Sequence, residues 1–238
     1  MARYFLSVHS HVCIANDYAV FLDLRQDKYT ALEPADTRAL SGVVQGWPAD
    51  IEPSAEAQRL TGDRDEVIRL LLGERLLTDD AGSGKAATPV SLERATASLK
   101  VAPRQLPRVD RRHLTNFVAA WLSATTMLRA LPLRVGVERA RRRKAHRLAG
   151  AGDFDSRKAY GLMMAYFILR PNFFSVVDAC LRDSMTVVEF LARYEMYPKW
   201  VFGVTMNPFT AHSWVQAGSI VVNDSVDHVN RFTPILAI

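Results

Sequence analysis

Between Asp79 and Pro107 the chain loses its hydrophobic periodicity: Ala81-Gly-Ser-Gly-Lys85 is followed by Pro89, Pro103 and Pro107. Such a stretch breaks helices and strands alike, so it reads as a linker over 81–107, with room for one short helix near Ser91–Leu99. The segments on either side must then each bury a core of their own. At 49% hydrophobic and 23% charged, the chain has enough apolar residues to do so.

The two segments also differ in charge. Residues 1–80 carry 8 Lys+Arg against 14 Asp+Glu, a net of −6, and the remainder carries 22 against 11, a net of +11. Two modules with different partners are the expected organisation, residues 1–80 and 108–238.

The first segment reads as short strands followed by helices. Tyr4–Val8, Val12–Ile14, Ala19–Leu24 and Lys28–Leu32 are the apolar runs, with a turn at Arg25-Gln26-Asp27. Helices are expected at Ala35–Val44, Ser54–Leu60 and Arg64–Leu72, the last capped by Asp63. The order suggests a winged-helix-like module of three strands and three helices. Its acidity argues against DNA, since nucleic-acid affinity depends on basic contacts to phosphate. An acidic module can still take an extended peptide onto a sheet edge. The expected contacts are Tyr29 and Leu32 on the strand Lys28–Leu32, with Val67 and Leu71 on the helix Arg64–Leu72.

The second segment has longer periods. Helices are expected at Asp110–Leu131, with Leu114, Val118, Trp121, Leu122 and Leu128 inward, and at Leu133–Leu148, Ser156–Leu169 and Asp178–Tyr197. An antiparallel meander follows: Trp200–Thr205, Phe209–Gln216, Ile220–Asn223, and an edge strand Phe232–Leu236 that contains Pro234. The whole is therefore α+β.

Only two cysteines occur, Cys13 and Cys180, and the start lacks the pattern of a secretory signal. A cytoplasmic protein with free thiols is expected, without a disulfide framework. Cys180 lies in the first turn of the fourth helix, where the positive end of the helix dipole favours thiolate. Taken alone, a helical Cys is most often a small core residue. His212 alters that, because it stands mid-strand among apolar alternatives. If the hairpin turns about Gly218 with a three-residue loop, His212 faces Asp224; a two-residue turn would set it against Asn223. A carboxylate beside an imidazole beside a thiol is the papain-like and transglutaminase-like arrangement for acyl chemistry. Trp214, on the same strand face as His212, lines the cleft or packs in the core.

The blocks Cys180-Leu-Arg-Asp-Ser184, Phe202-Gly-Val204, Phe209-Thr-Ala-His-Ser-Trp-Val215 and Val222-Asn-Asp224 occur in an order that resembles the transglutaminase-like cysteine protease of lasso peptide biosynthesis. That resemblance places the family's Cys–His–Asp triad on Cys180, His212 and Asp224. Ser213 and Gln216 depart from its Ala-His-Ala-Trp-Val-Glu-like strand. Residues 1–80, through Val12-Cys-Ile14 and Ala19–Leu32, resemble the small PqqD-like leader-recognition module of the same family. The resemblance implies a leader peptidase whose partners are the leader of a ribosomally made precursor and a separate asparagine-synthetase-like cyclase. It implies no directly bound cofactor; an ATP requirement would enter through the cyclase. The same residues leave open acyl transfer, or a non-catalytic adaptor that presents precursor to the cyclase.

Other features have plainer readings. His9, His11 and Cys13 alternate along one strand face, but three ligands without a fourth make a poor structural zinc site, and no metal is expected. Arg141-Arg-Arg-Lys144 reads as a solvated helix face. No stretch is long and apolar enough to suggest a membrane span.

Overall fold

The computed structural model describes residues 3–47, 63–99, 108–148 (side chains to 145), 154–175 and 179–238. The helix expected at Ser54–Leu60 lies outside them. The chain divides into two compact units. One comprises Met1–Ser91, Val204–Thr210 and Thr233–Leu236; the other comprises Leu92–Gly203, Ala211–Phe232 and Ala237–Ile238.

In the first unit, β2 (Ser10–Ala15), β3 (Tyr18–Asp23) and β4 (Lys28–Leu32) form an antiparallel meander with β3 central. The residues after Asp23 turn tightly because its carboxylate accepts from the Arg25 backbone N–H at 2.8 Å. A second sheet has β1 (Phe5–Ser7) between β5 (Leu77–Thr78) and β6 (Gly84–Lys85). Residues 84–85 of the stretch read as linker thus enter a sheet. Gly84 allows this, since a Cβ there would meet the Phe5 Cβ at 2.4 Å.

Helix α1 covers only Pro34–Ala39, shorter than the expected Ala35–Val44. Gly42, at φ +71°, turns the chain so that Val44 bridges to Tyr4. Helix α2 (Arg64–Gly73) is capped by Asp63, whose side chain accepts from Asp65 N–H at 3.1 Å. Val67, Ile68 and Leu71 turn into a core with Leu6, Phe21, Leu40 and Trp47.

The second unit is built on α3 (Arg111–Ala130), α4 (Leu133–Leu148), α5 (Ser156–Leu169) and α6 (Cys180–Ala192). Asp110 and His113 cap α3 reciprocally. The buried face of α3 is Phe117, Ala120, Ala124 and Met127, rotated from the expected stripe, so that Leu114 and Leu122 are exposed. The two alanines explain the rotation: they let α3 lie close against α6, which larger side chains would prevent. Phe117, Met163, Tyr166 and Phe190 fill the centre. Part of the basic run is tied down as well. Buried Glu189 of α6 takes Arg143 at 2.7 Å and Arg139 at 3.4 Å, both from α4.

No helix forms at Ser91–Leu99. Residues 97–98 instead make β7 (Ala97–Ser98), which runs parallel to β10 (Ile220–Val221). The sheet order is β11-β8-β9-β10-β7, with β8 at Lys199–Thr205, β9 at Thr210–Ala217 and β11 at Thr233–Ala237. Pro234 sits in the edge strand β11, where its missing N–H is tolerated. A short helix, α7 (Val226–Val229), connects β10 to β11. Among the described residues no helix is long and apolar enough to cross a membrane.

Candidate active site

Cys180 is the first residue of α6, and its N-cap, Ala179, offers no side-chain acceptor to the first turn. The helix therefore presents uncapped N–H groups and the positive end of its dipole beside the sulfur. The thiol is half-buried and its pKa is lowered. Hydrogen bonding with His212 is the largest cause; burial opposes it, while the His212 charge and the backbone N–H groups of Ser213 and Leu181 assist.

His212 lies on β9, and its Nε2 stands 2.6 Å from Asp224 Oδ2. An ionised carboxylate only accepts, so Nε2 carries a proton and Nδ1 is the nitrogen left for Cys180. Burial alone would lower the imidazole pKa. The hydrogen bonds to Asp224 and Cys180 outweigh it and raise the pKa to about 9. Asp224 shows the same contest: burial pushes its carboxyl up, but hydrogen bonds from His212, His228 and Ser225 N–H hold it well below the usual carboxylate range.

The hairpin reaches this geometry by neither expected register. Ala217 pairs with Ile220 and Gln216 with Val221, so the turn is Gly218-Ser219 and the straight ladder would set His212 against Ser225. β10 stops at Val221. One more bond follows, from Val222 N–H to Val215 O at 2.8 Å. The Asn223 side-chain oxygen then takes the Val215 N–H at 2.8 Å, and the backbone leaves the ladder. Asp224 swings back onto His212, while the Ser98 hydroxyl holds its carbonyl at 2.5 Å.

Beneath the sulfur is a buried polar network missed by sequence reasoning. Asp183, 4% exposed, accepts from Tyr166 Oη at 2.9 Å and Asn223 Nδ2 at 2.8 Å, with Arg170 at 3.4 Å. Ser184 donates to Ser213 O at 2.8 Å, which ties α6 to β9. Asp183 lies three residues after Cys180, one helical turn on, and Asn223 precedes Asp224. Those spacings were the available signal. The two departures from the family strand are also anchored. Ser213 Oγ accepts from Trp200 Nε1 at 2.7 Å, and Gln216 bonds Trp214 Nε1, Glu93 O and Gly218 O.

A cavity of about 220 Å³ opens over the sulfur, lined by Arg170, Cys180, Asp183, His212, Asp224 and His228 among others. His228, absent from the sequence reading, places Nδ1 2.9 Å from Asp224 Oδ2. His212, Asp224 and His228 are the one cluster of three metal-type donors among the described residues. Their 2.6 and 2.9 Å separations are those of hydrogen bonds. Two ligands at zinc bond lengths would stand about 3.3 Å apart.

Trp214 does not line this cavity. It is 2% exposed, packs in the core with Val201, Val221 and Val229, and stacks on His212 at 14° between ring planes. In the first unit, Leu32, Val67 and Leu71 are core residues, with Leu71 fully buried. Their side chains face inward, Leu32 from β4 and Val67 and Leu71 from α2. Tyr29 is half-buried on the edge strand β4, and Leu70 is the apolar residue of α2 that faces out, at 51% exposed.

Comparison with known families matches residues 114–237, just over half of the chain, to the family described as the transglutaminase-like superfamily. That superfamily includes cysteine proteases and transglutaminases. No curated protein and no solved structure matches the chain.

Proposed function

The chain belongs to the transglutaminase-like superfamily, and from that premise we propose that it is a thiol peptidase that removes the leader of a lasso peptide precursor. One observation carries the chemistry. A thiol with a lowered pKa opens a helix beside an imidazole held at 2.6 Å by an ionised carboxylate. Such a site favours a thiolate–imidazolium pair, suited to nucleophilic attack.

In this reading Cys180 Sγ attacks the scissile carbonyl carbon, and the negative oxygen is met by the Cys180 backbone N–H. The C–N bond breaks as His212 Nδ1 passes its proton to the leaving amine, which becomes the N-terminus of the core peptide. A thioester to the leader remains. His212 then takes a proton from water, the resulting hydroxide opens the thioester, and the leader leaves as a free acid. Asp224 keeps the imidazole oriented throughout.

Residues 1–80 serve as the leader-recognition module, with Tyr29 on β4 and outward-facing Leu70 on α2 as the contacts we favour. The freed core passes to a separate ATP-dependent cyclase in the cytoplasm. The test is to incubate the full chain with precursor, with and without cyclase and ATP, and to weigh the products by mass spectrometry. Free leader and core are expected, and Cys180→Ala should yield neither. A covalent adduct instead of free leader would replace hydrolysis with acyl transfer. Processing retained in Cys180→Ala would leave only an adaptor.

A further inference from the structure

Asp224 Oδ2 receives two imidazoles, His212 Nε2 at 2.6 Å and His228 Nδ1 at 2.9 Å. A carboxylate only accepts, so both nitrogens carry their protons, and both draw on the same oxygen. The rings of His212 and His228 stand 4.5 Å apart between centroids, and His228 rests edge-on against Phe232 at 88°. His228 is therefore held in place, yet its side chain is 44% exposed and borders the cavity over Cys180. A triad needs only one imidazole on its carboxylate. The second one requires its own explanation.

We propose that His228 is a positioning residue of this site, a second donor on the Asp224 oxygen that weakens the carboxylate's hold on His212 and so lets the His212 imidazolium release its proton to the leaving group. This rests on the peptidase reading, in which His212 must give up that proton in every cycle.

The physical argument has a definite sign. An oxygen that already accepts one N–H is a weaker acceptor for another, so the charged form of His212 is less favoured with His228 present. Any positive charge on His228 acts the same way, since like charges 4.5 Å apart repel. Removing His228 should thus raise the His212 titration midpoint. A purely structural His228 would do the reverse. Without it Asp224 would loosen, the His212–Asp224 bond would weaken, and the midpoint would fall. The other ionisable groups bordering this cavity are Cys180, Asp183 and Arg170, with the last two paired at 3.4 Å. None of them changes in the test.

The experiment titrates the His212 ring by NMR in the full chain, unaltered and as His228→Phe and His228→Asn. Phe keeps a ring against Phe232 and removes both nitrogens; Asn returns an amide donor near the position of Nδ1. We expect the midpoint to rise by about half to one pH unit in His228→Phe and to return toward the unaltered value in His228→Asn. Turnover on precursor should fall in His228→Phe as the imidazolium becomes a weaker acid. An unaltered His212 midpoint near 9 that stays put or falls in His228→Phe overturns this inference alone. A midpoint near 6.5 in the unaltered chain removes the thiolate–imidazolium pair and the inference with it.

Discussion

Replacing Asp224 with Asn keeps the shape of the side chain and removes its charge. The wild-type carboxylate accepts three N–H groups: His212 and His228 on Oδ2, and the Ser225 backbone on Oδ1 at 2.7 Å. A carboxamide has one oxygen and one NH₂, so one side must set donor against donor. The conflict is least costly at exposed Ser225, where water can intervene, and the amide oxygen therefore stays on the histidines. The tautomer of His212 then survives but its charge partner does not. Raising the ring from 6.5 to about 9 favours its charged form by roughly 3 kcal/mol, a contribution shared between Asp224 and Cys180. Losing the Asp224 share, about 1.5–3 kcal/mol, should cost about 10- to 150-fold in Cys180 thiolate at neutral pH. The assay is the rate of alkylation by iodoacetamide at pH 7, read by peptide mapping. Cys13 serves as an internal control, since burial pushes its thiol up to about 12. If Asp224→Asn, folded by circular dichroism, alkylates Cys180 within twofold of the unaltered rate, the carboxylate does not sustain the thiolate and the reasoning fails.

Four further outcomes are expected. Turnover should rise as Cys180 ionises, below the ordinary thiol range, and fall near pH 9 as His212 loses its proton; a profile still rising at pH 10 would contradict this. The raised His212 pKa contributes stability that is fully present below 6.5 and lost as pH rises through about 9. The depressed Asp224 contributes stability present above 3.8 and lost on acidification, so denaturant midpoints should be highest between those limits. Asp183→Ala strands Arg170 and the Asn223 amide in the interior and should destabilise by about 3–5 kcal/mol in urea, where a change below 1 kcal/mol would show the network to be idle. Leu70→Asp should weaken leader binding in fluorescence anisotropy with the melting temperature kept, whereas Val67→Asp should lower that temperature by placing a carboxylate in the core.

Much of the site was legible because its chemistry is local in sequence. A cysteine at the start of an amphipathic helix and a histidine on a strand are visible in pattern, and the structure brings Cys180, His212 and Asp224 together. The register that joins the last two was not legible. It depends on Asn223 ending the ladder with its own side chain, which leaves no trace in hydrophobic alternation. The network at Asp183 was hidden for a similar reason, since a buried carboxylate reads as a surface one until its three partners are in place. On α3, counting apolar residues favoured Leu and Trp, but close packing against α6 favoured Ala120 and Ala124, and packing won. Residues 84–85 and 97–98 enter sheets despite their composition, because two-residue strands need little more than backbone and a neighbour.

The amide of Asn223 also sets how this site can age. Its nitrogen faces the Asp183 carboxylate at 2.8 Å and the Ser184 hydroxyl at 3.1 Å, while its oxygen holds the Val215 N–H. Deamidation would turn that nitrogen into a second buried negative oxygen, and two carboxylates would then confront each other under the nucleophile. In the folded chain the three bonds pin the amide and resist the ring closure that deamidation needs. Each excursion to the unfolded state releases it. The shelf life of the site is thereby tied to how rarely the second unit opens, and storage conditions that slow opening should preserve activity longer than those that only slow hydrolysis.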